Sequence, residues 1–322
     1  MAASGLDPST IFPFPLDDFQ LEAIDALDQG HSVVVSAPTG SGKTLVGEYA
    51  IHRALAHGQK VFYTTPLKAL SNQKLRDFRE AYGDDNVGLM TGDLSVNREA
   101  SIVVMTTEIF RNMLYAEASE HDDPLADVEA VVLDECHYMN DSQRGTVWEE
   151  SIIHCPPSVQ LVALSATVAN AGQLTDWIEK VHGPTTLVLS DYRPVPLQFS
   201  FCSAKGLHPL LNDAGTGLHP NCKVWRAPKG HKRKGRSAKP PQPEPPPISF
   251  VVAQMAERDM LPAIYFIFSR RGCDKAVRDL GIQCLVNKEE QARIRARLKA
   301  YSSDNPEAVR DGIHADALLR GI

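Results

Sequence analysis

The stretch HSVVVSAPTGSGKTLVGEYAIHRALAHG, His31 to Gly58, sets the fold. A short β-branched run gives way to a Gly-rich turn, and the turn opens a helix-like segment. The order repeats downstream. KVFYTTP (60–66) reads as a strand and LKALSNQKLRDFREAYG (67–83) as an amphipathic helix. NVGLMTG, SIVVMTT, AVVLDE and VQLVALSAT are further strands, with TEIFRNMLYAEA and NAGQLTDWIEKV as helices among them. Nearly continuous apolar strands alternating with helices predict a parallel α/β sheet covered on both faces. Ligands of such sheets sit at the carboxyl ends of the strands.

Composition narrows the class. An apolar content of 43% over 322 residues suits a globular protein of about two domains. The N-terminus lacks a basic segment followed by an apolar core, which reads as no secretory signal. No apolar run approaches the roughly 18 residues of a membrane span, so no membrane partner is expected. The cysteines, at 136, 155, 202, 222, 273 and 284, form no CxxC pair. Reduced thiols in a cytoplasmic protein are the simplest reading. The formal charge of −7 is uneven: Cys222–Pro247 carries +7 and the rest of the chain −14. That basic, Pro-rich segment reads as a linker that also adds nonspecific affinity for phosphates.

Two stretches carry chemistry. In SAPTGSGKT (Ser36–Thr44), backbone N–H groups of the Gly-rich turn and the helix N-terminus behind it suit phosphate oxygens. Lys43 is placed to reach the β- and γ-phosphates and Thr44 to bind Mg²⁺. Ala37 stands where the full pattern has Gly. In VVLDECHYMND (Val131–Asp141), Asp134 and Glu135 follow a strand. Asp134 is expected to hold Mg²⁺ through water and Glu135 to deprotonate the attacking water. Zinc or a Cys–His nucleophile is disfavoured, because neighbours on a strand point to opposite faces. Cys136 reads as a small buried hydrophobe.

The pair APTGSGKT and DECH, in that order, resembles a superfamily-2 DExH-box helicase, which implies a RecA-like fold using ATP and Mg²⁺. Phe19-Gln20 with Ala23 resembles the upstream glutamine element, whose Gln reads adenine. By this resemblance Gln20, Pro38, Thr39, Gly40, Ser41, Gly42, Lys43 and Thr44 surround the nucleotide, with Thr44 and Asp134 at the metal. Lys43, Asp134, Glu135 and His137 serve catalysis. TPLKALSNQK, LMTGDLS and TTEIFRNML resemble segments that touch a single strand's backbone, through Pro66, Lys68, Asn72, Gly92, Thr106, Thr107 and Arg111. In LSATVAN, Ser165 and Thr167 couple hydrolysis to strand movement. Singly, these later segments also read as strand ends, helix caps and turns. DECHYMNDSQRGTVWEE and YRPVPLQ are similar to the superkiller-type, exosome-assisting RNA helicases. LPAIYFIFSRRGCD is most similar to their cyanobacterial and plastid members.

The resemblance implies residues 1–200 as an N-terminal RecA-like ATP-binding domain, 201–247 as a linker whose 222–247 part is basic and Pro-rich, and 248–322 as an incomplete second RecA-like domain. LPAIYFIFS is expected to be that domain's first strand. In the family, ALLRGI leads into the rest of the second domain and its arginine finger, so this chain reads as C-terminally truncated. The implied function is an ATP-dependent RNA helicase, partnered by RNA and by ribonuclease machinery. The alternatives are a DNA-directed helicase or translocase, or a non-catalytic nucleic-acid-binding fragment.

Overall fold

The computed structural model describes residues 6–115, 124–222, 245–304 and 315–322. It divides into two units, Met1–Pro196 and Leu197–Ile322. The first holds eight strands: β1 (Ser32–Ser36), β2 (Lys60–Thr65), β3 (Val87–Met90), β4 (Ser95–Val96), β5 (Ile102–Thr106), β6 (Val128–Leu133), β7 (Gln160–Ser165) and β8 (Thr185–Leu189). They form one sheet in the order β4-β3-β5-β2-β6-β7-β1-β8. Every pairing is parallel except β3 with the edge strand β4. This is the parallel α/β sheet that the sequence pattern predicts, with one antiparallel edge strand, and it agrees with the RecA-like fold that the resemblance implies.

Strand alternation builds the core on both faces. Val33 and Val35 of β1 and Ala130 and Val132 of β6 enter one apolar cluster. Val34, Val131 and Leu133 enter the other. Helices α1 (Pro8–Ile11), α2 (Asp18–Asp28), α3 (Thr44–Ala56) and α4 (Lys68–Tyr82) belong to the first half of the chain. From α2, α3 and α4, Phe19, Ile24, Val46, Tyr49 and Phe78 cover the first face. Helices α5 (Thr107–Tyr115), α6 (Gly145–His154) and α7 (Ala171–Val181) cover the second with Phe110, Trp148, Ile152 and Ile178. Trp148 is wholly buried and the partly buried Trp177 packs against this cluster.

The amino ends of the strands are closed by charge. Arg53 of α3 is buried, and its guanidinium donates to Glu129 Oε1 (2.6 Å), to the Leu27 carbonyl and to Gln160 Oε1. Asp28 lies 3.7 Å away and accepts from the Tyr49 hydroxyl at 2.9 Å. One cation thus joins α2, α3, β6 and β7.

In the second unit, β9 (Ser200–Ser203) and β10 (Gly206–Pro209) form an antiparallel hairpin. The segment expected to be a plain linker therefore begins with ordered structure. Most of the basic Pro-rich segment lies outside the described residues. Beyond it come α8 (Ile248–Ala256), α9 (Arg270–Asp279), α10 (Lys288–Asp304) and a short turn of helix, Ala315–Leu318. LPAIYFIFS does not form the strand expected of it. Ile264, Phe266 and Phe268 are more than 80% exposed, and among the described residues no strand lies alongside to complete a ladder. A β-branched, aromatic pattern is a strand only where a neighbour takes its N–H and C=O groups. Among the described residues no helix is long and apolar enough to cross a membrane.

Candidate nucleotide and nucleic-acid sites

The Gly-rich turn sits at the carboxyl end of β1 and opens into α3. Gly40 and Gly42 hold φ of +85° and +83°, a region L side chains rarely adopt. Ala37, at the position where the pattern has Gly, is buried and donates its N–H to Ser165 O at 3.2 Å. Among the described residues, the non-glycine positions with positive φ are Asn97, Glu135 and Asp259. Ala37 therefore takes backbone open to any residue, and the departure from the pattern is without strain.

Lys43 is only 6% exposed, yet no hydrogen bond or ion pair engages its ammonium among the described residues. The Ser41 hydroxyl is likewise buried without a partner. A buried cation normally has a counter-charge, so this turn is built for an anion. Thr39, Gly40, Gly42, Lys43 and Thr44 share a cleft of about 440 Å³ with Asp134 and Glu135, and Leu70, Gln73 and Lys74 of α4 form its other wall. The phosphate-loop and acidic residues singled out from sequence thus meet in one place.

Asp134 is buried, with Oδ2 accepting from the Tyr63 hydroxyl and Oδ1 from the Glu135 N–H, both at 2.8 Å. Glu135 takes the left-handed conformation, φ +53° and ψ +42°, a costly choice for a side chain of its kind. That turn ends β6 and starts a 3-10 helix, Cys136–Asn140. Cys136 and His137 are therefore not on the strand, and the alternation argument does not apply to them. What removes Cys136 from chemistry is complete burial, which pushes its thiol up to about 12, with Asp134 adding to the shift. Among the described residues no group of three or more His, Cys, Asp or Glu is gathered to hold a metal ion directly.

His137 Nδ1 lies 3.4 Å from the Ala166 N–H. Glu135 Oε2 lies 3.3 Å from the same nitrogen but is buried without a hydrogen bond. Ser165 is inside, its hydroxyl on the Ala166 carbonyl at 2.8 Å. Thr167 instead lines a separate cleft with Phe19, Glu22 and Ser36. Gln20 uses both ends of its amide: Oε1 caps α2 through the Asp17 N–H (2.9 Å), and Nε2 donates to the Gly42 carbonyl (3.1 Å). The residue expected to read a base thus braces the phosphate loop here.

A second cleft, also about 440 Å³, brings Pro66, Lys68, Gly92 and Thr106 together with Glu108, Asn112 and Arg144. Lys68 pairs with Asp93. Arg144, which lies within DECHYMNDSQRGTVWEE but has no role assigned from sequence, donates to the Pro66 carbonyl at 2.6 Å and pairs with Glu108. Asn72 and Arg111 do not line this cleft; Arg111 lies 3.5 Å from Glu150. Thr107 does not line this cleft either. It is fully buried, and its hydroxyl donates to Thr65 O at 3.2 Å, so it fixes the β5–α5 corner. Tyr63 and Lys74 also escaped sequence reading, since a strand aromatic and a helical lysine read as core and surface.

Residues 17–174 match the model of the DEAD/DEAH box helicase family. The chloroplastic DExH-box ATP-dependent RNA helicase DExH15 of Arabidopsis thaliana is 44% identical over 97% of this chain and 30% of its own length. The probable helicase HelY of Mycobacterium tuberculosis is 45% identical over 88% of this chain and 32% of its own length. The exosome RNA helicase MTR4 of Homo sapiens is 44% identical over 82% of this chain and 25% of its own length. The chain thus spans about a third or less of the relatives it matches.

Proposed function

We propose, from the premise that residues 17–174 form a DEAD/DEAH box helicase domain, that this chain is the nucleotide-loading part of an ATP-dependent RNA helicase of the superkiller type. The observation that carries the reading is the cleft in which a buried, unpartnered Lys43 and Thr44 face Asp134 and Glu135. Loop N–H groups and Lys43 hold the β- and γ-phosphates. The Thr44 hydroxyl and the free lone pairs of Asp134 fit a hydrated Mg²⁺, a cation that keeps several waters and needs few protein ligands. When bound, the metal neutralises charge on the phosphates. Glu135 lines the same cleft, one carboxylate oxygen turned inward beside His137, and its other oxygen accepts the proton of the attacking water. Its neighbour His137, tied to Ala166, links that event to the Ser165–Thr167 segment.

RNA is the strand we assign to the Pro66, Lys68, Gly92, Thr106 and Arg144 cleft, because DExH15 and MTR4, two of the relatives above, are named RNA helicases. Association with ribonuclease machinery follows from likeness to a protein named for the exosome. A cytoplasmic or, by likeness to a chloroplastic relative, plastid location accompanies it. All six cysteines are free thiols, in keeping with either.

Lys43→Ala tests the site on the chain as it stands. Losing a charge-assisted contact of about 1.5–3 kcal/mol should weaken ATP–Mg²⁺ binding roughly 10- to 100-fold in a fluorescence titration. Unchanged affinity overturns the phosphate reading. ATPase stimulation in a polypeptide of the relatives' length, compared for RNA and DNA single strands, tests the substrate. Stronger stimulation by DNA would move the assignment to a DNA-directed translocase.

A further inference from the structure

Tyr63 is wholly buried at the middle of β2, and its hydroxyl donates to Asp134 Oδ2 of the adjacent strand at 2.8 Å. With Oδ1 taken by the Glu135 N–H at 2.8 Å, each oxygen of Asp134 is ordered by one donor. The phenol is itself clamped. On one side α3 comes so near that a Cβ on Gly47 would lie 3.2 Å from Tyr63 Cε2. On the other, the Phe78 ring meets it edge-on at 5.0 Å, and the Lys74 ammonium stands 5.3 Å from its centroid. Lys74 also lines the nucleotide cleft beside Asp134.

A buried tyrosine needs an acceptor for its hydroxyl, and many buried carbonyls would serve. This one is given a carboxylate at the lip of a phosphate cleft. Carboxylates that hold metals depend on such outer partners for their orientation.

We propose that Tyr63 is a positioning residue for Asp134, fixing the carboxylate so that its remaining lone pairs face Thr44 and a hydrated divalent cation, with Phe78, Gly47 and Lys74 holding the ring. This rests on the reading of Asp134 as the magnesium-holding carboxylate. The test is binding of a fluorescent ADP to the chain, titrated with Mg²⁺, for Tyr63→Phe, Asp134→Asn and the double variant. Tyr63→Phe keeps the ring and removes only the donor. The Mg²⁺ concentration for half-maximal enhancement should rise about 10-fold or more, the usual loss on removing such a partner, while Mg²⁺-free binding stays unchanged. Asp134→Asn should abolish the enhancement, and adding Tyr63→Phe to it should change nothing further, because no carboxylate is left to position.

If Asp134→Asn keeps the enhancement, the magnesium reading itself falls. If Asp134→Asn loses it and Tyr63→Phe titrates like the parent chain, only the positioning role is overturned. A further loss of Mg²⁺-free binding in the double variant over Asp134→Asn shows Tyr63 acting through folding alone, and overturns it too.

Discussion

Glu135→Gln, in a polypeptide carrying this chain within the length of its relatives, should lower kcat for ATP hydrolysis by about 10²–10⁴ while leaving nucleotide affinity within about twofold. The substitution preserves size, hydrogen-bonding reach and the left-handed turn, and removes only the ability to take a proton. Glu135 does not touch the phosphate loop in the way Lys43 does, so binding has no reason to fall. Steady-state phosphate release beside a nucleotide titration separates the two. Normal turnover by the Gln variant sinks the assignment of the base. The same position offers a second reading by calorimetry. Glu135 holds φ +53°, which a short polar residue tolerates better, so Glu135→Asn should raise stability by about 1 kcal/mol while losing activity. A residue kept in strained backbone where a relaxed one would fold better marks function.

Arg53→Ala should destabilise the first unit by about 3–5 kcal/mol, because it strands a buried carboxylate and several acceptors at once. Glu129 is 10% exposed at its side chain, lies 2.6 Å from Arg53 Nε, and among the described residues has only His57 left at 2.9 Å. The Leu27 carbonyl keeps the Gln160 amide at 3.0 Å, but Gln160 Oε1 loses its donor. Urea denaturation should show the midpoint falling by about 1–5 M at a slope of about 1–3 kcal/mol/M. Replacing both partners, Arg53→Met with Glu129→Leu, should recover most of the loss, since an apolar pair of similar volume leaves no buried charge. A single Ala variant within about 0.5 kcal/mol of the parent chain would show the network to be ornamental.

Much of this was legible from residues in order. The phosphate loop is local: its glycines, lysine and threonine are contiguous, and the turn they form is dictated by backbone sterics and the helix behind it. Asp134 and Glu135 were legible because a strand that ends at one edge of the sheet delivers its next residues to that edge. Geometry beyond the strand was not legible. The periodicity of VVLDECH continues through Cys136, but the backbone breaks at Glu135, and nothing in a glutamate announces φ +53°. Thr107 reads like its neighbour Thr106, which lines the second cleft, but a single-residue step into α5 turns its hydroxyl to the Thr65 carbonyl. Tyr63 was invisible for another reason. Its role depends on register, with Tyr63 beside Val132 in the β2–β6 ladder, which brings its hydroxyl to a carboxylate 71 residues away. LPAIYFIFS failed because a strand is a property of a pair.

Helix α4 has a consequence of its own. Lys68, at its first turn, lines the cleft proposed for the strand, and Gln73 and Lys74 line the cleft proposed for the nucleotide. These positions are separated by about 9 Å of helix rise, at about 1.5 Å per residue, on one stiff cylinder. A ligand that tilts or slides that cylinder at one end is felt at the other. Thermodynamic reciprocity then applies: whatever factor the nucleotide imposes on affinity for the strand, the strand must impose on affinity for the nucleotide. Measuring either cross-effect fixes both.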